Sequence, residues 1–189
     1  MAALSVRLVR SLGALLAGLL AALALPAAAQ DRAAREHEIK AAFLFKFPSF
    51  IEWPGQAGTA PGGVFSIGVL GAEEVGADLQ QVAAERTLEG RPVTVRTLRA
   101  GESPAGLHML FVGREHTSRI AQIARMPASR GLLIVSEEEG ALDQGSAINF
   151  VVAAGRVRFQ VNLQAAERSG LRISSRLLAV ASEVRPARP

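Results

Sequence analysis

Four short β-rich runs, several of them apolar without a break, alternate with stretches of helical period. This alternation constrains the fold more than any other feature of the chain. The runs are VFSIGVLG (Val64–Gly71), RPVTVRTL (Arg91–Leu98), HMLFVG (His108–Gly113) and GLLIVSE (Gly131–Glu137). A continuously apolar strand needs cover on both faces, as a parallel sheet between helical layers provides. AEEVGADLQQVAAERTL (Ala72–Leu88) and EHTSRIAQIARM (Glu115–Met126) are the helical stretches available for that cover. The pattern predicts an α/β three-layer sandwich, with a mixed sheet of about six strands and helices on both faces.

The C-terminal third changes character. AINFVVAAGRVRFQVNL reads as two strands split by AAGR, with Gly155 free to take a positive φ. Val157, Phe159 and Val161 alternate with Arg158 and Gln160, the period of a half-exposed strand. A C-terminal β-hairpin plus helix is therefore expected. Asn162 is placed to cap the helix. Leu171, Ser174, Leu178 and Ala181 fall at helical spacing, and Gly170 is a candidate break.

The chain opens MAALSVRLVRSLGALLAGLLAALALPAAAQ, with Arg7 and Arg10 before an apolar run and Ala27-Ala28-Ala29 as a cleavage site. This is the pattern of a signal peptide over residues 1–29, exporting residues 30–189 as one domain to the periplasm. Without Arg7 and Arg10 the 21 basic residues become 19, against 17 acidic ones, so the net charge falls from +4 to +2. The arginines are spread along the chain, so no basic footprint for nucleic acid is present. The chain has no cysteine. Thiol catalysis and disulfide staples are excluded, and a hydrophobic core must carry the stability.

EIKAAFLFKFPSFIEWP (Glu38–Pro54) concentrates four phenylalanines and the single tryptophan. Ile39, Phe43, Phe47 and Phe50 share one helical stripe, while Leu44, Phe45 and Ile51 lie off it. Pro48 ends or kinks the helix near Phe47 and starts a short turn. Glu36 and Lys40 read as an exposed i, i+4 pair. The segment is a bent apolar bracket. Either both of its faces are internal, or one, carrying Phe45, Phe50 and Trp53, meets a partner chain.

No catalytic constellation appears. GVLGAEEVGADL mimics a phosphate loop, but Ala77-Asp78 stands where Lys-Ser/Thr is needed, and Glu73 and Glu74 would repel a phosphate. His37, His108 and His116 form no local metal motif. Glu137, Glu138 and Glu139 read as a solvated loop. RISSR, with Arg172, Ser174, Ser175 and Arg176, is either a solvated helix face or a site for an anionic small molecule. Neither cofactor nor metal is expected.

IKAAFLFKFPSFIEWP, FSIGVLG, LFVG, GLLIVSEEEG and INFVVAAGRVRFQVNLQAAERSGLRISSRLLAVA, in that order, resemble the YfiR family of bacterial periplasmic proteins. The resemblance covers nearly all of the chain after the leader. It implies an often dimeric α/β domain that inhibits an inner-membrane diguanylate cyclase of the YfiN type. It also implies capture by an outer-membrane lipoprotein of the YfiB type. Related domains occur on sensor kinases. The family commonly carries cysteines that form disulfides, so its redox control is not carried over to this cysteine-free chain. The expected function is repression of cyclic-di-GMP signalling by docking on the periplasmic domain of a cyclase or sensor kinase. The alternative is a periplasmic sensor or carrier of a small anion.

Overall fold

The computed structural model describes residues 32–53 and 63–187. The chain divides into two compact units, Met1–Glu36 and His37–Pro189. The expected leader lies outside the described residues, as does most of the Pro/Gly-rich loop after Trp53. Of the first unit, residues 32–36 are described and are helical. No described helix is long and apolar enough to cross a membrane.

In the second unit, seven strands form one mixed sheet in the order β3-β2-β4-β5-β6-β7-β9. They are β2 (Phe65–Leu70), β3 (Val93–Leu98), β4 (Met109–Val112), β5 (Leu133–Ser136), β6 (Ile148–Ala153), β7 (Arg156–Asn162) and β9 (Glu183–Arg185). Strands β3, β2, β4, β5 and β6 are mutually parallel. β7 returns antiparallel to β6, and β9 lies parallel to β7. The hairpin turn holds Ala154 and Gly155 at φ +50° and +70°. Positive φ at both central residues is what a two-residue turn needs to match strand twist. A separate two-stranded ladder pairs β1 (Ile51–Glu52) with β8 (Arg172–Ile173).

Burial explains why the central strands are unbrokenly apolar. Met109 and Phe111 of β4, with Leu133 and Val135 of β5, enter one core. Their neighbours Leu110, Val112 and Ile134 enter a second core on the opposite face. Helices α1 (residues 32–46), α2 (Glu73–Glu85), α5 (Leu163–Arg168) and α6 (Ser175–Leu178) contribute to the first. α3 (Ile120–Ala124) and α4 (Ala141–Gln144) contribute to the second. The three-layer α/β expectation holds, with seven strands in the main sheet.

Pro48 lies in the first turn of a 3-10 helix, Phe47–Phe50, that follows α1 directly. Phe47 stacks on Phe150 at 5.6 Å and meets Phe159 edge-on at 5.1 Å, both from the hairpin. The bracket thus clamps the hairpin to the rest of the sheet. Two helical stretches differ in detail from the expectation. Glu115–Met126 begins as a 3-10 helix (Arg114–Arg119) before α3. The helical spacing of Leu171, Ser174, Leu178 and Ala181 is broken because Gly170, at φ +75°, reverses the chain into β8.

Candidate functional site

In open α/β sheets, ligands bind beyond the carboxyl ends of the strands, where strand order reverses. Here that reversal falls between β2 and β4, and it is closed. A Cβ at Gly113 would collide with the Gly71 carbonyl, and one at Gly71 would strike the His116 ring. Backbone and imidazole already fill the crevice.

The open cleft lies one strand further, beyond β5. Its volume is about 520 Å³, and its lining includes Lys40, Arg114, Glu137, Glu138, Asn149 and Arg185. Each comes from a definable place. Lys40 projects from α1, Arg114 follows β4, and Glu137 and Glu138 follow β5. Asn149 lies on β6, and Arg185 ends β9.

Lys40 is only 2 % exposed, and its ammonium lies 2.5 Å from Glu137 Oε2. Its neighbour Ile39 is 44 % exposed. The buried stripe of α1 is therefore turned by one residue from the one periodicity favours, because Glu137 offers a buried charge its counterion. Arg114 lies 3.9 Å from Glu138 at the rim. Arg185 bonds Asp143 at 2.6 Å and Glu183 at 2.9 Å. The bond to Glu183 is the main cause that holds the Arg185 guanidinium above its ordinary pKa, burial opposing it and Asp143 adding to it. Lys40, Arg114 and Arg185 thus each face a carboxylate, and Glu139 adds a further carboxylate to the lining.

Beneath them runs a buried polar chain. The Ser136 hydroxyl reaches Asn149 Oδ1 at 2.7 Å and lies 2.8 Å from the Ser146 hydroxyl, which reaches the Ile148 carbonyl at 2.7 Å. Asn149 is 2 % exposed. Its amide nitrogen has no hydrogen-bond partner among the described residues, and Asn149 lines the cleft. One unused donor therefore faces the opening.

The residues singled out from sequence lie elsewhere. Phe45 is 8 % exposed and belongs to the core, as in the alternative that keeps that face of the bracket internal. Phe50 and Trp53 are half-buried against that same core. Trp53 donates its indole N–H to the Gly131 carbonyl at 2.8 Å and packs edge-on against Phe65. Ser174 caps α6, accepting from the Leu177 N–H. Arg172 sits on β8 opposite Glu52, and Ser175 and Arg176 are exposed on α6. None of the four lines the cleft.

No sequence pattern marks Asn149, and the reading of Lys40 as an exposed partner of Glu36 is overturned by its burial at 2 % exposure. The signals for them were faint: a lysine inside an otherwise apolar helix, and an asparagine inside a strand. Glu137 was grouped with a solvated loop, yet its carboxylate is the counterion of Lys40.

A crystal structure of a conserved domain protein from Vibrio cholerae O1 biovar El Tor has a similar fold, with a TM-score of 0.54 at 13 % sequence identity. The similarity covers 79 % of this chain, which spans 60 % of that protein's length. The sequence profile of the family described as YfiR/HmsC-like matches residues 37–182. The chain belongs to the YfiR/HmsC-like family, whose members are regulators in cyclic-di-GMP signalling that interact with membrane signalling partners.

Proposed function

We propose that this chain is a periplasmic binding protein that represses a membrane-bound diguanylate cyclase, or a related sensor, by docking on its periplasmic domain. The observation that carries this reading is the family match over residues 37–182, which spans every strand of the main sheet except β9. The cleft lends support. Its three cationic side chains each face a carboxylate, an arrangement suited to recognition more than to turnover. An outer-membrane lipoprotein of the YfiB type that captures the repressor, and a homodimer as its working form, complete the proposed system.

Deleting the gene and measuring cellular cyclic-di-GMP, attachment and motility tests the proposal. Cyclic-di-GMP rises in the deletion, and the full chain restores it while a version lacking residues 1–29 does not. Unchanged cyclic-di-GMP in the deletion refutes repression. Rescue by the leaderless chain refutes action in the periplasm.

A further inference from the structure

The cleft is a notch in the sheet, made by unequal strand lengths. β5 ends at Ser136, whose partner on β6 is Asn149, while β6 runs on to Ala153. Asn149 thus stands where the notch begins. It is 2 % exposed, and the Ser136 hydroxyl takes its Oδ1 at 2.7 Å. Among the described residues, no fully enclosed side-chain nitrogen or oxygen lacks a hydrogen-bond partner. The unpartnered amide nitrogen of Asn149 is therefore not sealed in the core, and the open space that Asn149 lines is the cleft. A nearly buried donor without a protein partner points to an acceptor supplied from that side.

We propose that the cleft binds a small uncharged saccharide, one of whose hydroxyls accepts from Asn149 Nδ2. The charges of the lining select this class. Lys40, Arg114 and Arg185 each already face a carboxylate, so an anionic ligand meets only engaged cations and the further carboxylate of Glu139. An ammonium ligand cannot accept from Asn149. It also finds Glu137 and Glu138 matched by Lys40 and Arg114, and Glu139 exposed, where an ion pair contributes little. A hydroxyl does both tasks, accepting from the amide and donating to a carboxylate. Val151 and the 51 % exposed Val152 add an apolar wall for the C–H groups of a sugar ring. The cleft, at about 520 Å³, falls in the range of roughly 300–1,000 Å³ usual for small-ligand sites. This site goes beyond the repressor reading and does not rest on it.

The isotope-labelled full chain is titrated with glucose, galactose, N-acetylglucosamine, maltose and trehalose and followed by amide NMR. At least one sugar binds saturably and moves the side-chain amide resonances of Asn149 together with the backbone amides of Phe150–Val152. Asn149→Leu is close in size and leaves the Ser136 hydroxyl its Ser146 neighbour at 2.8 Å. It weakens binding about tenfold or more, with Tm reporting that it folds. Glucosamine and glucuronate, each charged, bind more weakly than the best neutral sugar, and added salt leaves the affinity of that sugar unchanged.

No saturable binding by any sugar of the panel overturns the proposal, as does binding that leaves Asn149 and Phe150–Val152 unmoved. Tighter binding of glucosamine or glucuronate shows that a charge is recognised and also overturns it. If Asn149→Leu does not fold, Val152→Lys replaces it, a change at an exposed position that removes the apolar wall; unaltered affinity in either folded variant refutes the site. Sugar binding needs no cyclase, so this assay and the deletion test fail independently.

Discussion

The buried ion pair between Lys40 and Glu137 permits the sharpest prediction. The two residues are 97 positions apart, and their side chains are 2 % and 10 % exposed. Desolvating such a pair cancels much of its Coulomb attraction, so its net contribution is small. Removing one partner is different, because it strands a charge in the interior at a cost of about 3–5 kcal/mol. Lys40→Met keeps most of the aliphatic stem and leaves Glu137 at the edge of the open cleft, so it falls at the low end, about 3 kcal/mol. Glu137→Gln leaves the ammonium of a nearly inaccessible lysine and falls nearer about 5 kcal/mol. The double variant removes both charges and lies within about 1 kcal/mol of the parent.

Urea unfolding of all four proteins measures the cycle. With a slope of about 2 kcal/mol per molar, Lys40→Met alone moves the midpoint down by about 1.5 M. The double variant recovers most of that loss. The coupling energy is then several kcal/mol, far outside the roughly 0.5 kcal/mol expected of independent sites. Single variants that each cost under about 1 kcal/mol and add in the double would refute the inference that Lys40 is buried by pairing.

Three further outcomes follow from packing and titration. Phe47→Ala removes the ring that stacks on Phe150 and meets Phe159, and it costs about 3–5 kcal/mol by thermal or chemical unfolding. A loss under about 1 kcal/mol would show that the clamp on the hairpin is not load-sharing. Gly113→Ala forces a Cβ onto the Gly71 carbonyl, so it lowers Tm steeply although its φ of -70° suits any residue; an unchanged Tm refutes the close approach. His108 is held below its ordinary pKa first by burial and then by Arg91, and its Nδ1 accepts the Ser66 N–H only when unprotonated. The unfolded chain therefore takes up the proton first, and stability falls as pH drops below about 6.5, by at most about 1.4 kcal/mol per unit. His108→Asn keeps an acceptor near the Ser66 N–H and flattens that part of the profile; identical pH profiles for the two proteins would contradict the assignment.

The parallel core was legible because it is written locally. Met109, Leu110, Phe111 and Val112 are apolar in sequence because alternate residues enter opposite cores, so the run itself reports cover on both faces. Asn162 was legible for a similar reason, since its side chain accepts from Ala165 only three residues ahead. β1 and β8 were not, because ladders of two residues are too short to show a period. Lys40 was not legible either. Apolar periodicity prefers Ile39 inside, and only a carboxylate 97 positions away reverses that choice.

The cleft shows most clearly where local reading stops. No pattern within GLLIVSE records that β5 stops at Ser136, and none within INFVVA records that β6 runs on past its neighbour to Ala153. The notch exists only as the difference between the two lengths. Its chemistry also comes from outside both strands, since Lys40 arrives on α1 and Arg114 in the turn after β4. Glu137–Glu139 looked like a solvated triplet because a carboxylate's neighbours in sequence say nothing of a lysine delivered from another layer. Local sequence therefore points to the aromatic bracket and to RISSR, where residue types are concentrated. The fold spends most of those side chains on packing, capping and ladder formation.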